Sequence, residues 1–107
     1  MSAEFYVTFG DLDWYTSNKT LIEETISSLS TFSNKEDLTE FWLTGTEPRH
    51  VKCWEYDVRL FLERESVFLE ISSHPPSVEV DLRILFSWLR EHTETYVNDE
   101  DGEASNW

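Results

Sequence analysis

Cysteine occurs once in this 107-residue chain, at Cys53, so no intramolecular disulfide can form and the fold must be held by its core. Glycine is nearly as scarce. Gly10, Gly45 and Gly102 are the whole supply, too few and too scattered for a phosphate-cradling P-loop or a dinucleotide fingerprint. Cations are the third shortage: 8 Lys and Arg stand against 22 Asp and Glu, a formal net charge of −14. Lys19, Lys35, Arg49, Lys52, Arg59, Arg64, Arg83 and Arg90 are spread singly along the chain. Without a basic patch, direct contact with a nucleic-acid backbone or an anionic membrane surface is disfavoured. No apolar run approaches the roughly 18 to 20 residues of a spanning helix. Met1-Ser2-Ala3-Glu4 has no basic-then-apolar leader, and with the single thiol this sets the expectation of a cytoplasmic protein.

Large side chains, by contrast, are plentiful. Five Trp, four Tyr and seven Phe within a 39% hydrophobic composition are too many for a disordered acidic chain. They predict one compact domain over residues 1–107, with an acidic C-terminal segment at 91–107. Glu4 to Phe9 is rich in aromatic and β-branched residues and reads as a first strand closed by Gly10. Asp11 to Thr16 mixes acids with rings and shows no period, which predicts a loop carrying exposed aromatics. Ser17 or Asn18 then caps a helix whose apolar residues Leu21, Ile22, Ile26, Leu29 and Phe32 approximate the 3.6-residue period, ending at Ser33-Asn34-Lys35. Leu38 to Leu43 reads as a short strand, and Gly45 with Glu47-Pro48 as a turn.

The strongest pattern lies between Val51 and Ser72. Tyr56, Val58, Leu60 and Leu62 alternate with polar or aromatic residues, as do Val67, Leu69 and Ile71. Folding these runs about Arg64-Glu65 sets Leu62 opposite Val67, Leu60 opposite Leu69 and Val58 opposite Ile71. The same register places Phe61 against Phe68 and Arg59 against Glu70 on the other side. Arg64-Glu65 lacks the Gly or Asn of a tight primed turn, so a four-residue loop with the same pairing is the alternative. His74-Pro75-Pro76 breaks the sheet. Ser77 caps a second helix, with Val78, Leu82, Leu85 and Leu89 on its apolar stripe and Val80, Ile84, Phe86 and Trp88 widening it to near His92. Tyr96 onward approaches an Asp-Gly turn. The predicted order β-α-β-β-β-α-β is an α+β domain: a mainly antiparallel sheet of four to five strands with two helices packed on it.

Few residues suggest catalysis, and no catalytic residues are assigned. His50 and Cys53 have the i, i+3 spacing of half a zinc site, but a second cysteine is missing and His74 and His92 are distant in sequence. A Cys53–His nucleophilic pair can be drawn without any family signature to support it. Asp99-x-Asp101-Gly102 lacks the ligand ladder of a calcium loop. No metal and no cofactor are therefore expected. The acids themselves carry more information, because Asp11 and Asp13 adjoin Trp14 and Tyr15, while Asp99, Glu100, Asp101 and Glu103 lie between Tyr96 and Trp107. Carboxylates interleaved with rings suit contact with a basic protein surface.

A chain of about 100 residues with one cysteine, strong acidity, many aromatics, a β-rich body and the closing turn Tyr96-Val97-Asn98-Asp99-Glu100-Asp101-Gly102-Glu103 resembles the immunity proteins of bacterial toxin systems. The likeness is to those of contact-dependent growth inhibition and the polymorphic toxins. It implies a non-enzymatic monomer that binds a cognate toxin in a 1:1 complex. The toxin would be a basic nuclease, most simply a ribonuclease, whose phosphate-binding groove the carboxylates plug. The implied contact set is Asp11, Asp13, Trp14, Tyr15, Tyr96, Asp99, Glu100, Asp101, Glu103 and Trp107. The alternative is a nucleic-acid mimic of the anti-restriction or anti-CRISPR type.

Overall fold

Period-2 alternation is strict along the central strands. Residues 58–62 and 67–71 are each buried at every second position, so one sheet face is apolar and the other is built from the residues in between. The computed structural model describes residues 3–49 and 55–107. In chain order the elements are β1 (Ala3–Phe9), α1 (Leu12–Ser17), α2 (Lys19–Ser27), β2 (Phe32–Lys35), β3 (Glu40–Leu43), β4 (Val58–Leu62), β5 (Val67–Ile71), α3 (Pro76–His92) and β6 (Thr95–Asp99). The strands form one six-stranded sheet in the order β2-β3-β4-β5-β1-β6, with every pairing antiparallel. The α+β class is as expected, with one more short helix and a six-stranded sheet.

The β4–β5 hairpin has the register read from the sequence: Leu62–Val67, Leu60–Leu69, Val58–Ile71, Phe61–Phe68 and Arg59–Glu70 are paired. Its tip spans residues 63–66, closed by the Glu63 N–H donating to the Ser66 carbonyl at 2.9 Å. Val7, Phe41, Leu43 and Val97 complete the apolar face, and Tyr15, Ile22, Ile26, Val78, Leu82, Leu85, Phe86 and Leu89 cover it from the helices.

Four expectations are corrected. Residues 12–17 are a helix rather than a loop, because the Asp11 carboxylate accepts from the Trp14 N–H at 3.1 Å and caps it. Helix α2 stops at Ser27, and Phe32 to Lys35 belong to an edge strand. There the Asp81 carboxylate on α3 collects the Thr31 N–H (2.8 Å), the Thr31 hydroxyl (2.6 Å) and the Ser30 hydroxyl (3.0 Å). This gives the chain a competing set of bonds just where the helical pattern could have continued. Ser77 lies inside α3 rather than at its cap. Its N–H and hydroxyl donate to the Glu47 carboxylate at 2.8 and 2.5 Å, and these bonds hold that carboxyl below the usual range. Finally, Val80 and Ile84 face outward at 56% and 51% exposure, while Phe86 joins the buried stripe.

The alternation also breaks at Asp57, which is buried beside Val58. Tyr56 thereby turns to the opposite sheet face, where its ring meets Trp42. Asp57 receives Arg49 Nη1 and Nη2 at 2.6 and 3.0 Å, the Ser73 hydroxyl at 2.6 Å and the Gly45 N–H at 2.7 Å. Its own N–H and carbonyl bond Leu43 and Ser72, so it fastens the β3–β4 connection to the end of β5. Gly45 is required here, since a Cβ would come within 2.5 Å of Pro75 Cγ and 2.8 Å of a Glu47 carboxylate oxygen.

Burial pushes the Asp57 carboxyl up, but the bonds from Arg49, Ser73 and Gly45 together with the Arg49 charge outweigh it, leaving the group below the ordinary aspartate value. A lowered folded value means that the unfolded chain binds more protons in that window. The stabilisation is therefore present above the ordinary value and lost as pH falls toward the folded one. Asp57→Asn should cost about 3 kcal/mol in urea unfolding near neutrality and flatten the acid limb of the stability–pH curve. An unchanged midpoint and acid limb would remove Asp57 from this role.

Candidate functional surface

All three helices lie on one side of the sheet, and among the described residues no helix packs on the other. One-sided cover is ordinary for antiparallel sheets, but the outer face is then normally polar. Here it is aromatic. The register aligns Glu40, Phe61, Phe68, Tyr6 and Asn98 in one row across β3, β4, β5, β1 and β6. Ring centroids of Phe61 and Phe68 are 5.7 Å apart and those of Phe68 and Tyr6 are 5.2 Å apart, within the range of favourable tilted pairs. The next row is Trp42, Arg59, Glu70 and Glu4. Tyr96 pairs with Thr8 on the same face near the β6 edge.

Arg59 organises the middle of this face. Its Nε and Nη2 donate to one Glu70 carboxylate oxygen at 3.0 and 2.6 Å, and Nη1 lies 3.9 Å from Glu40. The guanidinium sits 4.8 Å from the Tyr56 ring centre and 5.5 Å from that of Phe61. Burial alone would lower its pKa, yet the bonds and charges of Glu70, with Tyr56 and Glu40, raise it, so the cation is locked in place. Trp42 Nε1 donates to Glu40 at 2.7 Å. The face thus combines rings, satisfied carboxylates and one internal cation.

The residues predicted for partner contact are dispersed over the molecule. Tyr15 is wholly buried: its ring stacks on Phe9 at 4.5 Å and its hydroxyl reaches the Glu63 and Ser66 carbonyls at 2.6 and 2.9 Å, bracing the hairpin tip. Burial, with Glu63 nearby, pushes its phenol well above the ordinary value. Trp14 is half-buried, stacked on His92 at 5.2 Å and tilted against Trp88 at 6.1 Å. Trp107 packs edge-on against Phe86 at 6.1 Å under the Arg83 guanidinium, and its carbonyl accepts from Arg90 at 2.7 Å. Asp99 folds its own turn, its carboxylate accepting from the Asp101 and Glu103 N–H groups at 2.9 Å each. Gly102, at φ +80°, supplies the left-handed residue that turn needs. The chain then returns along β6, with Ser105 N–H bonding the Val97 carbonyl at 2.9 Å and so covering a sheet edge.

Asp11, Asp13, Glu100, Asp101 and Glu103 are exposed. The two acidic groups are nevertheless separate. Phe9 pairs with Thr95 while Phe5 pairs with Asp99, so they flank opposite ends of β6, about 14 Å apart along the strand. Tyr96 alone of the predicted set joins the aromatic face, 47% exposed and hydrogen-bonded to Glu94, which raises its phenol pKa. Sequence reading missed Tyr6, Trp42 and Tyr56 as residues of this face, and it placed Arg59 there only as the partner of Glu70. The available signal was the Phe61–Phe68 pair, a ring pair placed away from the core by a register that was itself legible.

A concavity of about 470 Å³ is lined by Gly45, Glu47, Pro48, Arg49, Asp57, Ser73, His74 and Pro75. Its charged groups are engaged structurally as described, and His74 pairs with Glu79 at 2.5 Å. Among the described residues no group of three or more His, Cys, Asp or Glu could hold a metal ion; His50 and Cys53 lie outside them. No described helix is long and apolar enough to cross a membrane. Comparison with protein-family models, curated proteins and solved structures returns no match.

The C-terminal residues should divide sharply in a stability assay. Trp107→Ala should cost about 2 kcal/mol, below the roughly 3–5 kcal/mol of a fully buried Trp because Trp107 is only half-buried, and Asp99→Ala about 1 kcal/mol for two lost N–H acceptor bonds. Glu100→Lys with Asp101→Lys should stay within about 0.5 kcal/mol. Urea titration followed by tryptophan fluorescence measures all three, and equal effects would refute the division.

Proposed function

We propose that the protein is an immunity-type inhibitor that binds a basic protein partner, in the simplest case a nuclease toxin, across the open aromatic face of its sheet. The observation that carries this reading is the cross-strand row Phe61–Phe68–Tyr6, held within ring-pair distance on a face that no described helix covers. Half-buried rings on a rigid sheet are suited to anchoring an interface, because little side-chain freedom is lost when a partner seats on them.

Electrostatics supports a basic partner. Arg49, Arg59, Lys35, Arg83 and Arg90 each engage a carboxylate, a ring or a carbonyl of the same chain. Many of the 22 acids, Asp11, Asp13, Glu63, Glu65, Glu91 and Glu100 among them, remain at the surface. A field of one sign accelerates association with an oppositely charged surface. In this reading the rings supply affinity, the peripheral acids supply rate, and the protein acts inside the cell, where Cys53 stays reduced.

Partner capture from the native host with wild-type chain and with Phe61→Ala/Phe68→Ala is the test, with urea midpoints checking that the variant folds. The captured protein should be strongly basic, arrest growth when expressed alone and be relieved by co-expression of this chain. The double variant should lose at least 2 kcal/mol of affinity, roughly 30-fold, and wild-type affinity should fall from 50 to 500 mM salt as the Debye length contracts about threefold. A neutral or acidic partner, or equal binding by the variant, defeats the proposal.

A further inference from the structure

The geometry points to an arginine-selective slot at the Tyr6–Tyr96 corner of the open face, where a guanidinium of the basic partner would insert between two rings and bond the adjacent Glu94 carboxylate. The inference rests on the sheet-face reading and adds which side chain that face recognises.

The molecule itself displays the mode of recognition two strands away. Arg59 lies over the rings of Tyr56 and Phe61 while Glu70 and Glu40 receive its N–H groups. The β1–β6 corner repeats the ingredients. Tyr6 pairs with Asn98 and Thr8 with Tyr96, so the two tyrosines are diagonal neighbours on one face, with backbone positions roughly 7–8 Å apart. A planar guanidinium between two rings needs about 7 Å, twice a van der Waals contact. At 39% and 47% exposure, these are the two large apolar residues of this face that remain most open to solvent. Glu94 is bonded to the Tyr96 hydroxyl, and Glu4 lies two residues before Tyr6 on the same face.

The cation is what this corner lacks. Among the described residues, Lys19, Lys35, Arg59 and Arg83 are set over other rings, and no described ion pair involves Glu4 or Glu94. Glu4 is directly opposite Glu70 in the register, and since Arg59 is committed to Glu70 it offers Glu4 no bond of its own. Among the described residues of the strand rows and their border, Glu4, Glu40, Glu70 and Glu94 stand against Arg59, four carboxylates to one guanidinium. Arginine rather than lysine fits, because a flat, weakly hydrated guanidinium can stack on both rings while still donating in its plane. An ammonium would surrender more hydration for a single-point contact.

Titration of the full chain with tetra-arginine, tetra-lysine and tetra-citrulline peptides, followed by assigned NMR resonances, tests the slot. Tetra-arginine should shift Tyr6 and Tyr96 ring signals saturably, tetra-lysine should bind about tenfold more weakly there, and tetra-citrulline should leave both unmoved. Tyr96→Leu should weaken tetra-arginine binding about tenfold and Glu94→Gln by a smaller factor. If arginine and lysine peptides bind that corner equally, the slot is refuted whatever the variants do. Shifts confined to Phe61, Phe68 and Trp42 would refute it while leaving the sheet-face function standing. Shifts confined to the Asp99–Glu103 turn, with the sheet face silent, would remove both.

Discussion

Among the described residues the helices cover only one face of the six-stranded sheet, and that constraint governs the rest of the molecule. The helices bury Val7, Phe41, Leu60, Leu69 and their neighbours almost completely, each large side chain contributing about 1.5–3 kcal/mol relative to exposure. Among the described residues nothing comparable covers the opposite face. Its strand positions must pack laterally with each other while meeting water on top. Rings at ring-pair distance and an arginine held between carboxylates satisfy both demands, so the exposed face is stable enough to exist and apolar enough to bind.

Holding three helices on one side also requires pins, because the helix–sheet contact is largely non-directional. Three polar groups supply direction. Asp57 fastens the β3–β4 connection beneath the end of β5, Asp81 fixes the α2–β2 crossing to α3, and the Tyr15 hydroxyl ties α1 to the hairpin tip. The described buried side-chain polar atoms all find a partner, which is the condition under which buried polarity specifies a structure rather than weakening it.

These pins mark the limit of what the amino-acid order discloses. The β4–β5 register was legible because period-2 burial and the Arg59–Glu70 pairing agree, and a one-residue slip would spoil both. Helix α3 was legible from its stripe, though Val80 and Ile84 were assigned to the wrong side of it. By contrast, α1 has six residues, too few for a period to emerge. The end of α2 was hidden because Leu29 and Phe32 continue its spacing, while the residue that diverts the chain, Asp81, lies about fifty positions away. The same blindness affected the surface. Tyr15 and Trp107 look like interface anchors beside their acidic neighbours, and only long-range partners, Ser66 and Phe86, turn them inward.

Charge distribution follows from the same packing. Lys19, Lys35, Arg49, Arg59, Arg83 and Arg90 are drawn toward rings, carboxylates and carbonyls of the chain itself, since a guanidinium or ammonium over a ring gains stabilisation without full burial. Exposed carboxylates such as Asp13, Glu63, Glu65, Glu91 and Glu100 remain at turns, helix ends and strand ends. A field of one sign therefore surrounds a patch of aromatic surface. On the proposed reading the two have separate consequences. The field changes how often a basic partner arrives, from the neutral 10⁵–10⁶ M⁻¹s⁻¹ toward roughly 10⁸ M⁻¹s⁻¹ at low salt, whereas the rings change how long it stays. An inhibitor of a catalytic toxin needs both, because a single unbound molecule continues to turn over.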